Sequence, residues 1–267
     1  MVNNLAVKLK IYQVDAFANN VFEGNPAAVV PLEKWLSEEM MQKIAMENNL
    51  SETAFFVQQF DGFYIRWFTP TDEVPLCGHA TLASAYVLFN ELGYKENKII
   101  FNCKSGSLEV RREEDWITLN FPVNELEAIE INSSFEEALA VRPLEAYQGN
   151  GGYTMLLFES DEVVKNIIPD FSKIITWDAK AVIVTAQGKE YDFVSRMFAP
   201  KIGVNEDPVT GSAHTRLIPF WSRRLGKTEL LAKQVSARGG VLKCKMLGNR
   251  VEMSGKGVLY LTGEFFV

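Results

Sequence analysis

The sequence predicts an α+β protein written twice, as two similar halves that each wrap a curved sheet on one buried helix. Three observations lead there. First, short motifs recur in the same order about half a chain apart. Arg66-Trp67-Phe68-Thr69-Pro70 returns as Arg196-Met197-Phe198-Ala199-Pro200, and Gly24-Asn25-Pro26 before an apolar run returns as Gly149-Asn150-Gly151-Gly152. Leu76-Cys77-Gly78-His79-Ala80-Thr81 is matched by Val209-Thr210-Gly211-Ser212-Ala213-His214, and Lys104 to Val110 by Arg238 to Lys243. One such pair could arise by chance, but four in order indicate duplication. Second, runs rich in aromatic and β-branched residues alternate with turn residues, as strands do. Third, each half carries one helix pattern that reads as buried, the first because it is apolar on nearly every side and the second by its match to it.

Taken in chain order, Lys8 to Val14, Ala27 to Pro31, Glu52 to Val57 and Phe63 to Phe68 read as strands. Ser37 to Asn48 reads as a helix with Ser37 as N-cap, acids in its first turn and an apolar stripe at Met40, Ile44 and Ala45. Ala80 to Leu92 is apolar on nearly every side and belongs inside the protein. Its counterpart runs from about Ser212 to Leu225, with Leu217, Trp221 and Leu225 on one face. Closing strands follow at Trp116 to Phe121 and Arg250 to Met253. The join is expected in the Glu-rich stretch Asn124 to Glu137, giving halves 1–126 and 127–267, the last strand being free to cross back.

The 267 residues are 47% hydrophobic, enough for a substantial core, which excludes a disordered chain or a stapled miniprotein. The charge balance, 27 Lys+Arg against 34 Asp+Glu, leaves −7. That is no footprint for nucleic acid, and anionic lipid would repel it. Cys77, Cys103 and Cys244 are too few and scattered for a disulfide framework or a Cys-x-x-Cys metal site. Met1 to Lys10 lacks the apolar core of a signal segment, and the apolar stretch Thr81 to Phe89 is shorter than a membrane span. A cytoplasmic protein without membrane or nucleic-acid partners is expected.

Chemistry concentrates at the two helix starts. The only histidines, His79 and His214, fall in the paired Gly-x-Ala segments, although His214 lies further into its helix and reads equally as a packed residue. Gly78 and Gly211 would let a ligand approach unpaired N–H groups at the positive end of each helix dipole. A carboxylate could bind there despite the net negative charge. Alone, the same glycines would merely allow tight strand-to-helix turns. Asp207 and Cys77 precede these glycines, and each also has a bland reading, as a turn acid and a small buried hydrophobe. Glu52, in Asn49-Leu50-Ser51-Glu52-Thr53-Ala54-Phe55, opens an apolar strand and shares a face with Ala54 and Phe56. A carboxylate so placed suits proton transfer, though an exposed acid at a strand entrance is the commoner case. There is no P-loop, no dinucleotide fingerprint, no Gly-x-Ser-x-Gly elbow, and no histidine–cysteine spacing for a dedicated zinc site.

With Val14-Asp15-Ala16-Phe17, Gly24 to Val30, Leu50 to Phe55, Arg66 to Pro70, Cys77 to Thr81 and Asp207 to Ala213 together, the sequence resembles the PhzF-like (phenazine biosynthesis protein-like) family. That family is related in fold to diaminopimelate epimerase. The resemblance implies two pseudo-symmetric halves, each a mixed, barrel-like sheet around a central helix, with a site in the cleft between them. It further implies cofactor-independent proton chemistry and a homodimer, and the histidine–cysteine spacing leads to no metal being expected. By motif matching, the proton-moving glutamate would be Glu52, assisted by His79 and Asp207. A small anionic metabolite would bind at Cys77, Gly78, Gly211, Ser212 and Ala213. The epimerase relatives use two opposed cysteines; here Cys77 matches the first and nothing matches the second. An isomerase is therefore expected. A binding protein without catalysis and a racemase of an amino or hydroxy acid are the alternatives.

Overall fold

The computed structural model describes residues 7–267. The first six residues, part of the stretch expected to lack a signal segment, lie outside the described residues. The chain divides into two compact units. One runs up to Asn120 and resumes at Gly255–Val267, and the other is Phe121–Ser254.

The first unit begins with β1 (Lys8–Ala16) and β2 (Asn25–Leu32), continues through helix α1 (Glu38–Asn48) to β3 (Glu52–Gln59) and β4 (Gly62–Phe68), then through a short β5 (Glu73–Val74) into helix α2 (Gly78–Tyr86). Strands β6 (Lys98–Cys103), β7 (Gly106–Glu113) and β8 (Trp116–Pro122) follow. The second unit repeats this series. It comprises β9 (Leu126–Ile129), α3 (Ser133–Leu139), β10 (Glu145–Gly149), β11 (Tyr153–Leu157), the short helices α4 (Asp161–Asn166) and α5 (Phe171–Ile174), β12 (Ala181–Gln187) and β13 (Phe193–Ala199). After β14 (Val204–Asp207) come helix α6 (Gly211–Leu225) and strands β15 (Glu229–Gln234), β16 (Gly240–Leu247) and β17 (Arg250–Gly255). The closing strand β18 (Gly257–Phe266) returns to the first unit, antiparallel to β1 (Lys8↔Phe266).

The pairing order demonstrates the duplication. In the first unit the strands neighbour one another as β18-β1-β2-β3-β4-β6-β7-β8, and only β2–β3 and β4–β6 are parallel. In the second the order is β9-β10-β11-β12-β13-β15-β16-β17, with β11–β12 and β13–β15 parallel. Each parallel step is bridged by helical chain, as such crossovers require. The recurring Arg-x-Phe-x-Pro motif has a physical basis as well. Arg66 donates to both carboxylate oxygens of Glu73 at 2.8 and 2.7 Å and lies over the Phe68 ring. Arg196 grips Glu206 at 2.7 and 2.9 Å and lies over Phe198. In both units this fork pins the β-hairpin that feeds the buried helix.

The helices follow their local chemistry. Ser37 caps α1 by accepting from Met40 N, and Met41 rather than Met40 is fully buried beside Ile44 and Ala45. Helix α2 buries every side chain from His79 to Ala85 and packs on β1, β2, β3 and β18. The predicted run to Leu92 is α-helical only to Tyr86, and Val87–Glu91 widens into a π-type turn. The Thr81 and Ser84 hydroxyls donate to the carbonyls of Cys77 and Ala80 (2.5 and 2.7 Å), satisfying groups that have no access to water. Helix α6 lies on β15 and β16 with Leu217 and Trp221 buried and Leu225 at the margin. Among the described residues, no helix is long and apolar enough to cross a membrane.

Arg196 also donates to the carbonyls of Val164 and Ile167, so it ties α4 to the sheet. Its replacement strands a mostly buried Glu206. Arg196→Met is expected to lower unfolding stability by about 3 kcal/mol, measured by urea denaturation; a loss well below 1 kcal/mol would show that the fork is incidental.

Candidate active site

In the first unit, the parallel pairing of β2 with β3 puts Glu52 opposite Ala27, at the strand ends nearest the start of α2. Glu52 Oε2 lies 3.0 Å from His79 Nε2, and the two side chains are only 18% and 7% exposed. On the other side of the ring, Nδ1 lies 3.6 Å from Cys77 Sγ and 3.3 Å from Asn25 Nδ2. Asn25 is fully buried and is set by the turn before it. Gly24 there has φ +66°, and a Cβ would stand 2.1 Å from Ala16 O, so no other residue fits. Cys77 is the N-cap of α2, and the first-turn amides of the helix start beside it at Gly78.

Burial by itself would lower the His79 pKa. The acidic groups beside the ring, Cys77 and Glu52, outweigh burial and hold it well above the ordinary value of 6.5. Burial pushes the Cys77 thiol up, and the Glu52 carboxylate adds to that. Cys77 therefore stays a thiol, and the hold on His79 is assigned to Glu52. The Asn25 and Cys77 donors suit an unprotonated Nδ1, but turning the Asn25 amide over presents its oxygen instead. The Glu52 carboxylate beside Nε2 favours a protonated ring.

In the second unit, Asp207 ends β14 and its Oδ2 accepts from the Thr210 hydroxyl. Thr210 is the N-cap of α6 and does not cap the helix with its side chain; Gly211, Ser212 and Ala213 form the first turn. Ser212 is exposed, and its hydroxyl pairs with Tyr153 Oη at 2.9 Å. The buried Arg216 guanidinium sits 3.8 Å from the Tyr153 ring centroid and donates to Asn150 O and Ser212 O. The fold thus brings Glu52, Cys77, Gly78 and His79 together, and separately Asp207, Gly211, Ser212 and Ala213. His214 belongs to neither group. It is fully buried, its Nδ1 donates to Thr210 O at 2.8 Å, and it packs against Phe193. Burial lowers its pKa to about 4. Asn25, Tyr153, Arg216 and Gln234 surround these groups without having been singled out as site residues. Only Asn25 and Tyr153 carried a signal, through the paired glycine turns.

The repeat is chemically uneven. With Arg66 and Arg196 aligned, the ladders Ala54↔Trp67 and Ile183↔Met197 make Ala181 the equivalent of Glu52. Thr210 is the equivalent of Cys77. The second unit therefore holds neither the carboxylate nor the thiol at these positions. Among the described residues, Glu52, Cys77 and His79 also offer ligand-type atoms within 4.8 Å of one another. Sequence spacing concealed this cluster. However, Glu52 and Cys77 meet different ring nitrogens, so a cation shared by all three would have to displace one of the present partners.

Paired eight-strand ladders, each with one buried helix, define a fold of the epimerase-like type. A hydroxyproline epimerase from Agrobacterium vitis shares it, with a TM-score of 0.61 over 97% of this chain and 93% of its own at 10% identity, a likeness of fold alone. The chain belongs to the phenazine biosynthesis-like family: the family model for Phenazine biosynthesis-like protein matches residues 14–263. An uncharacterized isomerase of Pseudomonas aeruginosa is 47% identical over 258 residues, covering 97% of this chain and 98% of the relative. The crystal structure of a PhzF-family protein from Enterococcus faecalis matches with a TM-score of 0.95 and 49% identity, over 98% of this chain and 100% of that one. The chain is an enzyme of the isomerase class.

The two histidines shift in opposite directions, and so do their effects on stability. His79, raised on folding, contributes stability that is complete below about pH 6.5 and is lost as pH rises through its folded pKa. His214, lowered to about 4, contributes stability present above about pH 6.5 and lost as pH falls toward 4, in all about 3 kcal/mol. Urea unfolding across pH 4–9 should show acid loss reduced in His214→Phe and alkaline loss reduced in His79→Asn. Wild-type curves in both variants would contradict the assignments.

Proposed function

We propose that Glu52 moves a proton on a small, carboxylate-bearing metabolite, with His79 and Asp207 assisting and without an added cofactor. The observation that carries this is the 3.0 Å contact between the Glu52 carboxylate and the His79 imidazole, both largely shielded from water. In the forward step the Glu52 carboxylate takes a proton from an acidic C–H. The C–H electron pair moves into the substrate's π-system beside its carboxylate, giving an enolate-like transition state. Glu52, now protonated, returns the proton to another carbon, or to the same one. The His79 imidazolium offsets the changing charge on Glu52, and Asp207 orients the substrate. Backbone amides at Gly78-His79 and at Gly211-Ser212-Ala213 are the groups suited to hold the carboxylate; fixed dipoles of this kind need no reorganisation as charge develops.

The uneven repeat supports one base rather than two. Ala181 and Thr210 stand where a symmetric two-base racemase would need acids. Cys77 is a buried thiol against the same imidazole as Glu52, and burial makes it a poor second base. The carboxylate-bearing substrate class agrees with the neighbouring epimerase, whose structure holds trans-4-hydroxy-L-proline.

The test is deuterium uptake in D2O from a pool of small carboxylic acids, followed by mass spectrometry. Glu52→Gln should lose at least about 10³-fold and His79→Gln about 10²-fold, and prior treatment with EDTA should change nothing. Full exchange in Glu52→Gln would overturn the proposal, and ligand-induced thermal stabilisation without any exchange would favour a binding protein. A cytoplasmic homodimer belongs to the same reading. Light scattering at micromolar concentration should give twice the 30.1 kDa chain mass, and a monomer would refute the dimer.

A further inference from the structure

The turn that leads into α6 rests on one buried amide that no motif reveals. Gln234, the last residue of β15, is completely buried. Its side-chain carbonyl accepts the Thr210 N–H at 2.9 Å, and its amide nitrogen donates to Asp207 O at 2.7 Å and to Thr210 Oγ1 at 3.1 Å. Two of these partners are fixed in kind: a backbone N–H can only donate, and a backbone carbonyl can only accept. The amide therefore cannot be turned over. Its nitrogen faces the Thr210 oxygen, which must accept, and the single hydroxyl proton of Thr210 is left for Asp207 Oδ2. The hydrogen bonds run one way, from Gln234 through Thr210 to the Asp207 carboxylate.

The fold does not itself require this amide. With Arg66 and Arg196 aligned, the parallel ladders Tyr64↔Asn102 and Ser195↔Gln234 make Cys103 the equivalent of Gln234. The Cys103 thiol donates to Gly106 O and takes no part in the start of α2. The polar chain is thus confined to the unit that carries Asp207.

We propose that Gln234 is a positioning residue that, acting through Thr210, holds the Asp207 carboxylate as an oriented acceptor for the reaction. This rests on the reading of Asp207 as a group that assists proton transfer. Gln234→Glu replaces the donating nitrogen with an accepting oxygen, so the Thr210 hydroxyl turns away from Asp207. Thr210→Val removes the hydroxyl at nearly constant volume. A lost hydrogen bond to a carboxylate favours its protonated form.

Titration of the Asp207 side-chain carboxyl by carbon-13 NMR reads this without turnover. Both variants are expected to move its midpoint up by about one pH unit or more, and the acid limb of the exchange rate should move with it. Should the buried glutamate prevent folding, Gln234→Met takes its place with the same expectation. An Asp207 midpoint unmoved in a folded Thr210→Val, or moved there but unmoved in the folded Gln234 variant, would overturn the proposal. The two readings fail separately. Full exchange in Glu52→Gln would remove the proposed function and leave the titration result standing, whereas an unmoved midpoint would remove this inference alone.

Discussion

The structure depends on burying one helix under a sheet in each unit, and the first of them, α2, is largely apolar. Helix α2 has no solvent face to give polar groups, so every polar atom along it must find a partner inside. Thr81 and Ser84 return their hydroxyls to the helix's own carbonyls. His79 cannot, because its ring points away from the helix axis toward the strand ends. There it meets Glu52, Asn25 and Cys77. The same burial that packs the core thus concentrates titratable groups at the helix start, where desolvation strengthens their mutual interaction.

The second unit solves the same problem with different residues. At the start of α6, uncharged hydroxyl and amide groups do most of the bonding: Thr210, Ser212, Tyr153 and Gln234. The buried Arg216 guanidinium donates to backbone carbonyls and lies on an aromatic face. The duplicated fold therefore carries an asymmetric chemistry, with a carboxylate–imidazole pair in one unit and a directed hydrogen-bond chain ending on a carboxylate in the other. Sheet architecture tolerates this because the ladder is held by backbone groups and by the two arginine forks. The residues at the strand ends are left free to diverge.

Much of this was legible in the residues. The repeated Arg-x-Phe-x-Pro motif, with three other motif pairs in the same order, forecast two similar halves. The apolar run from Ala80 and the acid-rich opening after Ser37 marked their helices. The π-type turn at Val87–Glu91 was not legible, because apolar periodicity does not distinguish an α turn from a slightly wider one. The pairing of two histidines in equivalent segments also suggested more than it delivered. Two residues of offset along the helix turn His214 into the core, where it meets Thr210 O and the Phe193 ring.

By itself the sequence predicted two similar halves, their principal helices, and the short list on which Glu52, His79 and Asp207 stood. Those features are local: they follow from periodicity, capping, charge and turn chemistry within a few residues. Only the tertiary structure decided that Glu52 touches His79 and that Ala181 stands where a second carboxylate would. It also decided that Gln234 governs the turn below Asp207. Each of these depends on the register of a parallel pair, Ala27↔Glu52, Tyr153↔Ala181 or Ser195↔Gln234, between strands joined by long crossovers. Register there is fixed by packing across the whole sheet, and no short window of sequence contains it.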